Sequence, residues 1–269
     1  ARDVDGGDLT LDMFYQGLKM DEPIWIAPKI LGDHYIVFVA NDGTDIVKDS
    51  ISIHVKDTTG TFLDSRDQQE YQWIKIGQQI WMAENLAFLP SVSPPDLQSD
   101  TTILCYIYDY YGNSTEEAIK TENYRIYGSL YNLEAAKVSC PVDWHLPSDD
   151  EWKILELFLG MSESEIDKTL PRTSGEVGRK LKSSYGWHNE GNGDNSSGFN
   201  ALPAGRKNSW NLNNYDSFSN LTTQTEFWTS TEYEDHYGAR SRTLQSDFVG
   251  VQRDGGNIAG FSVRCLKNE

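Results

Sequence analysis

Residues 127–152 read YGSLYNLEAAKVSCPVDWHLPSDDEW, and this stretch decides the fold because it holds the two clearest helix signals of the chain. Leu133, Ala136 and Cys140 recur at the spacing of one helix face, which predicts an amphipathic helix. Pro141 cannot donate the next backbone hydrogen bond, so it ends this helix. The sulfur of Cys140 is therefore expected to point inward with Leu133 and Ala136.

The second helix of this stretch begins at Ser148. Glu151 follows three residues later, which is the spacing of a capping box. In a capping box the side chain of each residue accepts a hydrogen bond from the backbone N–H of the other. The helix is expected to bury an apolar stripe formed by Trp152, Leu155 and Leu159.

Short β-strands are predicted on both sides of these helices. Residues 71–76 and 79–82 are rich in β-branched and aromatic residues and flank a Gly77-Gln78 turn, which predicts a hairpin. Residues 90–102 contain three prolines and predict a loop. Further strands are predicted at residues 199–203, 227–232, 243–253 and 261–266. The fold class that follows is α+β, with two main helices and short antiparallel strands.

The N-terminal segment is predicted to form a separate β-module. Strands are expected at residues 23–28, 34–40 and 46–55, and the alternation in the last places Ile51, Ile53 and Val55 on one buried face. The segment resembles the last strands of an immunoglobulin-like or PKD-like module, which has about seven strands when complete. A polar, Gly-containing stretch follows. The predicted division is therefore a partial β-sandwich at residues 1–57 and a second domain at residues 58–269.

The chain is strongly acidic. Its 269 residues include 41 Asp and Glu against 23 Lys and Arg, which gives a formal net charge of −18. Such a surface repels phosphate backbones and anionic lipid headgroups, so nucleic acid and membrane surfaces are excluded as expected partners. The 38% hydrophobic and 12% aromatic content is sufficient for a sizeable core.

Membrane insertion and a cysteine-rich scaffold are not expected either. No segment approaches the roughly 20 apolar residues of a membrane-spanning helix. Residues 1–7 lack the apolar region of a signal peptide, although a signal or anchor could have been removed before them. Cys105, Cys140 and Cys265 allow at most one disulfide and lack zinc-ligand spacing.

Residues 127–152 resemble the Fibrobacter succinogenes major paralogous domain, a bacterial extracytoplasmic family. Further segments match the family in the same order, so that the resemblance covers roughly residues 64–267. They are QIWMAENL at 79–86, GNGDNSSGFNALPAG at 191–205, FWTSTE at 227–232 and GFSVRC at 260–265. The resemblance implies a domain that functions outside the bacterial cytoplasm.

The same passage is similar to the first two helices of C-type-lectin-like folds and to a segment of formylglycine-generating enzymes. In such folds the cysteine that ends the first helix often bonds one in the final strand, so the resemblance implies a disulfide between Cys140 and Cys265 and a free Cys105. Two buried free thiols are the alternative. Cys265 has no neighbouring cysteine, so the copper-binding pair of formylglycine-generating enzymes is missing and their reaction is not expected.

A Gly-rich loop at residues 189–197, NEGNGDNSS, concentrates side-chain oxygens. Calcium prefers six to eight oxygen ligands, and this loop is predicted to supply several of them to a calcium ion. The candidate ligands are Glu190, Asn192, Asp194 and Asn195. The alternative is a turn-rich loop whose Asn and Asp side chains cap their own backbone.

Residues 210–215, WNLNNY, are similar to the Trp-Asn-Asp sugar site of calcium-dependent lectins, with Leu212 in place of the Asp. Saccharides bind to aromatic ring faces beside fixed hydrogen-bonding groups. The candidate ligand-binding residues are Trp210, Asn211, Asn213, Asn214 and Tyr215.

These features predict a secreted or cell-surface bacterial binding module without catalytic residues, whose loops at 186–226 bind a glycan or a surface protein. His145 lies within the sequence Trp-His-Leu-Pro and is interpreted as a packed structural residue rather than a catalytic base. One alternative is a glycan-active enzyme with a pair of carboxylates in an acidic cleft. The other is a structural or adhesive subunit that assembles through the N-terminal β-module.

Overall fold

The computed structural model describes residues 9–22, 32–55, 58–170, 172–209, 217–234, 238–256 and 258–269. The chain divides into two compact units, Ala1–Thr58 and Thr59–Glu269. Both are described separately below. The architecture is mixed α+β, mostly strands with a few short helices.

The first unit contains one antiparallel sheet of order β2-β1-β3-β4 among its described residues. Its strands are β1 (Thr10–Tyr15), β2 (Leu18–Lys19), β3 (Gly32–Asn41) and β4 (Ile46–Val55). Ile36 on β3 is buried, whereas Ile51, its register partner on β4, is 47% exposed. The prediction of a buried face is wrong at Ile51, whose side chain lies largely in solvent, while Ile53 is half-buried. The strand predicted at residues 23–28 lies outside the described residues.

The described residues of the second unit form two five-stranded sheets and a short ribbon. The orders are β10-β16-β7-β6-β5, β12-β11-β13-β14-β15 and β8-β9. The strands are β5 (Thr59–Leu63), β6 (Glu70–Ile76), β7 (Gln79–Met82), β8 (Cys105–Tyr106), β9 (Leu130–Tyr131), β10 (Trp144–His145), β11 (Ala204–Lys207), β12 (Phe218–Leu221), β13 (Gln224–Glu232), β14 (Ala239–Gln245), β15 (Gln252–Gly256) and β16 (Leu266–Lys267). The β6–β7 hairpin and the loop at 90–102 are confirmed.

The helices are α1 (Thr115–Ala118), α2 (Glu122–Tyr127), α3 (Leu133–Ser139), α4 (Asp149–Phe158), α5 (Glu163–Ile166) and α6 (Val177–Leu181). The two predicted helices are confirmed as α3 and α4. The backbone N–H of Ser148 donates to Glu151 Oε2 over 2.7 Å, and that of Glu151 donates to Ser148 Oγ over 3.2 Å, so the capping box is present. No helix in the described ranges has the length and apolar character needed to cross a membrane.

The predicted stripe of α4 lies in an aromatic core. Trp152 and Leu155 are fully buried and Leu159 is 9% exposed. The Trp152 ring lies 4.9 Å from that of Trp81 and 5.6 Å from that of Phe199, centroid to centroid. The apolar face of α4 therefore packs against the β10-β16-β7-β6-β5 sheet.

Buried ion pairs join helix α4 to the β12-β11-β13-β14-β15 sheet. Glu156 is fully buried and accepts hydrogen bonds from Arg172 and from Arg242 on β14. At the helix start, Asp149 Oδ1 pairs with Arg242 Nη1 over 2.7 Å, and Oδ2 pairs with Arg253 Nη2 over 2.7 Å. Burial favours the neutral form of Asp149, but the hydrogen bonds from Arg253 and the charge of Arg242 lower its pKa well below the usual range.

A disulfide joins Cys140 to Cys265, with 5.8 Å between the two Cα atoms. The pairing that the resemblance implied is thus present, and Cys105 is a buried free cysteine. The bridge ties the end of α3 to the C-terminal segment. Disulfides persist in oxidising compartments, which indicates an environment outside the cytoplasm.

Three of the predicted strands are wrong. Of residues 261–266, only Leu266 belongs to a strand, β16. Residues 199–203 form no strand because Asn200 adopts a left-handed φ of 55°, and this turns the backbone away from an extended path. Residues 243–253 span the end of β14, a turn and the start of β15 rather than one strand. The polar residues Gln245, Ser246 and Asp247 and the glycine Gly250 lie at this interruption.

Candidate functional site

The site is built on the C-terminal segment that precedes β16. The backbone N–H of Met82 donates to the Cys265 carbonyl, and that of Leu86 donates to the Val263 carbonyl, each over 3.0 Å. Residues 82–86 therefore run beside residues 263–265. Ser129 N in turn donates to the Leu86 carbonyl over 3.1 Å, which brings the segment after α2 to the same place.

Gly128 is required for this approach. Its φ of +74° is in the left-handed region, and a Cβ atom at this position would lie 2.8 Å from the Leu86 carbonyl oxygen. A side chain would collide with fixed backbone there, so only glycine allows the two segments to meet.

These segments enclose a cleft of about 420 Å³, hereafter the Arg264 cleft. Tyrosine rings and amide side chains make up much of its lining. They are Tyr71, Tyr124, Tyr185, Gln69, Asn85 and Asn200. Tyr71 is buried, whereas Tyr185 is 57% exposed, so the aromatic lining extends from the interior to the surface.

Arg264 lines the buried end of the cleft and is 1% exposed. Its Nε donates to Asn85 Oδ1 over 2.8 Å, and Nη1 donates to the Met82 and Phe199 carbonyls. Nη2 donates to the Asn200 carbonyl over 3.0 Å. All four acceptors are neutral. Arg264 thus links three chain segments without a carboxylate partner in the described part of the chain.

The electrostatics of the cleft follow from this burial. Burial lowers the pKa of Arg264 to about 9, and the charge of Glu84 opposes part of that shift. The guanidinium therefore stays charged at neutral pH. Burial raises the pKa of Tyr71, whose hydroxyl accepts a 3.0 Å hydrogen bond from Ala87 N, so this phenol is neutral.

This arrangement is suited to holding a polar ligand. Tyrosine faces provide apolar contact, the amides provide donors and acceptors, and Arg264 provides a fixed charge. Glu84 is the single carboxylate among the lining residues. The described lining thus contains one carboxylate, whereas glycoside hydrolysis commonly uses two.

Three side chains of the predicted calcium loop accept hydrogen bonds from backbone N–H groups. Asn192 Oδ1 accepts from Trp187 N over 3.0 Å, Asp194 Oδ1 from Ser196 N over 3.0 Å, and Asn195 Oδ1 from Asn200 N over 2.8 Å. Only the bond from Ser196 lies within the loop, and Asp194 Oδ2 also lies 3.4 Å from Arg179 Nε. The described residues contain no cluster of three or more His, Cys, Asp or Glu side chains placed to hold a metal ion. Calcium binding, with Glu190 as the fourth candidate ligand, stays a prediction.

A second pocket, of about 350 Å³ and lined by polar residues and His188, lies partly within the range predicted to hold the ligand site. It adjoins the start of the calcium loop and the ends of β13 and β14. Its lining residues are His188, Asn189, Thr223, Gln224, Gln245, Ser246 and Asp247. It offers no aromatic face other than the His188 ring, so it suits a saccharide less well than the Arg264 cleft does.

The predicted ligand-binding residues at 210–215 cannot be compared with the structure. Trp210, Asn211, Asn213, Asn214 and Tyr215 lie outside the described residues, so the structure places none of them.

His145 lies at the start of the capped helix α4. Its Nδ1 lies 2.7 Å from Asn268 Oδ1, and its Nε2 lies 2.9 Å from Glu151 Oε1. Nε2 thus contacts the capping residue of the helix and Nδ1 contacts the C-terminal segment, an arrangement compatible with a structural role.

Sequence reasoning missed the Arg264 cleft, although a signal was present. Asn85, Asn200 and Arg264 each belong to a different segment that resembles the family, and Gly128 belongs to a fourth. The meeting of four separate family segments at one cleft is what marks it as the candidate site.

Comparison with known proteins identifies the family. No curated protein and no solved structure matches the chain. Residues 74–267 match the Fibrobacter succinogenes major domain, and this range is more than half of the chain. It contains most of the residues that line the Arg264 cleft. The chain therefore belongs to the Fibrobacter succinogenes major domain family.

Proposed function

We propose that this chain is a secreted or cell-surface bacterial binding module, without catalytic activity, that binds a glycan in the Arg264 cleft. The observation that carries this proposal is the composition of the cleft. Three tyrosines and three amides line a concavity of about 420 Å³ that Arg264 closes at its buried end. A cleft of this size holds one or two sugar rings, whereas a protein partner needs a much wider surface.

The finer fold assignment is part of the same proposal. We take the second unit to be a C-type-lectin-like domain, because α3 ends at a cysteine bonded to the C-terminal segment and a capped helix follows. This order of elements matches the resemblance seen in residues 127–152. It supports a module that binds its ligand outside the cytoplasm.

The proposal favours binding over hydrolysis because Glu84 is the single carboxylate in the lining. A retaining or inverting glycosidase needs two carboxyl groups about 5 to 10 Å apart across the scissile bond. The cleft as described has one.

A glycan array, probed with and without millimolar calcium, tests the proposal. We expect the wild-type protein to bind a discrete set of glycans and Tyr185→Ala to lose most of that signal, because this variant removes an exposed aromatic face of the cleft. Tyr35→Ala is the matched control, since Tyr35 is also 57% exposed but belongs to the first unit. Absence of binding, or equal binding by the two variants, would contradict the proposed site.

A further inference from the structure

We infer that the Arg264 cleft selects acidic sugars, with a carboxylate on the sugar ring pairing with cationic side chains of the cleft. The inference rests on the proposed function and names the ligand class for the same site. Three features support it: an unpaired cation at the rim, a second at the buried end and the charge balance of the lining.

The rim cation is Arg125, on helix α2. Its side chain is exposed and has no hydrogen bond or ion pair within the described ranges, while its backbone N–H bonds the Thr121 carbonyl. Some other cationic side chains in the second unit are paired with carboxylates, such as Lys137 with Glu134 and Lys120 with Glu116. An unpaired arginine at the edge of a cleft is available to a ligand carboxylate, for which its planar donors are suited.

The inner cation is Arg264. Its four acceptors are one amide and three carbonyl oxygens, so its hydrogen bonds are largely satisfied while its charge is not. Nη2 makes one bond, to Asn200, and its second hydrogen has no acceptor among the residues described. A buried charge without a counter-ion is unfavourable, and an anion in the cleft would relieve that cost.

The charge balance of the lining is positive although the protein is acidic. Arg125 and Arg264 face one carboxylate, that of Glu84. Asp64, which influences Tyr71 from outside the lining, pairs with Arg66 over 2.6 Å and adds no net charge. Asp67 also influences Tyr71 and Tyr124, and it too lies outside the lining. The lining residues alone thus carry a formal charge of +1 in a chain of net charge −18, with Asp67 beyond them.

A single carboxylate on a hydroxylated ring satisfies each of these features. Its charge neutralises the lining, its hydroxyl groups match the amides of Asn85 and Gln69, and its apolar ring face packs on tyrosine. A neutral sugar uses the amides and tyrosines but leaves both arginines unpaired. The two negative charges of a dianion such as a phosphate monoester would exceed the single net positive charge of the lining residues.

The test compares hexuronates with their neutral amides by titration calorimetry on the whole chain at low ionic strength. The probes are D-glucuronate, D-galacturonate and D-mannuronate, each paired with the corresponding hexuronamide, which has the same shape and no charge. We expect at least one hexuronate to bind about tenfold more tightly than its amide. Arg125→Gln should reduce this ratio of affinities about fivefold, the effect of losing one charge about 4 Å away in water.

Two further variants separate local from global charge. Glu84→Gln should raise the ratio, since it removes the repulsive carboxylate and keeps an oxygen that accepts the Gln72 N–H. Lys168→Gln removes one exposed positive charge outside the cleft and should leave the ratio unchanged.

The outcomes distinguish the two proposals. Equal affinity for an acid and its amide, or an identical effect of Arg125→Gln and Lys168→Gln, overturns the inference and leaves glycan binding in place. No binding of any of the six compounds, together with an empty glycan array, overturns the proposed function and the inference with it.

Discussion

Loss of the Cys140–Cys265 disulfide should strongly destabilise the second unit. The bridge joins positions 125 residues apart, and this long loop makes its effect on the unfolded chain large. In the chain-entropy treatment a loop of this length corresponds to about 5 kcal/mol at 25 °C. For a unit of this size such a loss lowers the melting temperature by about 10–20 °C.

The perturbation is the double variant Cys140→Ala/Cys265→Ala, measured by thermal and urea unfolding. Cys105→Ala is the matched control, because Cys105 is also fully buried, belongs to the same core cluster as Cys265 and forms no bridge. It removes a buried sulfur alone and should cost about 1 kcal/mol. The double variant should lose several kcal/mol more than this control.

The bridge also holds the site. Cys265 directly follows Arg264, so the disulfide fixes the segment that closes the buried end of the cleft. The reasoning is refuted if the double variant unfolds at the same temperature as Cys105→Ala. It is refuted equally if a non-reduced digest of the wild-type protein yields Cys140 and Cys265 as free thiols.

Three further predictions concern stability. Trp152→Ala should cost about 3–5 kcal/mol in urea unfolding, because the ring is fully buried among aromatic side chains, and a loss below about 1 kcal/mol would contradict this packing. The pKa of Asp149 is lower in the folded than in the unfolded protein, so its ionised form stabilises the fold above the unfolded-state pKa of about 3.9. The free energy of unfolding should therefore fall as the pH drops below about 4. The variant Asp149→Asn should weaken that pH dependence. If calcium binds the 189–197 loop, millimolar calcium raises the wild-type melting temperature and Asp194→Ala abolishes the rise, whereas an unchanged wild-type melt leaves only the self-capped turn.

Local chemistry made part of the fold predictable. The capping box at Ser148 and the proline that ends α3 act within one helical turn, so the sequence alone is sufficient to place both helices. The β6–β7 hairpin was predictable for the same reason, since its turn residues directly join its strands. The cysteine pairing was different, because only the resemblance to a known fold singled out Cys140 and Cys265.

The cleft was not predictable in this way. Asn85 and Arg264 are 179 residues apart, and they meet because backbone hydrogen bonds align residues 82–86 with 263–265. In the sequence, Asn85 and Arg264 contributed only to the family resemblance, because no neighbouring residue indicated a ligand site. The strand predicted at 199–203 failed for a related reason. Its carbonyls at Phe199 and Asn200 bond Arg264 instead of a neighbouring strand.

The central claim is that the Arg264 cleft binds the ligand, and hydrogen–deuterium exchange tests it most directly. The measurement compares the wild-type protein alone and saturated with a glycan identified on the array. The account predicts slower exchange at residues 83–87, 124–128 and 264, which line the cleft or adjoin its lining. Slower exchange confined to residues 188–189 and 245–247, which line the polar pocket, would contradict it.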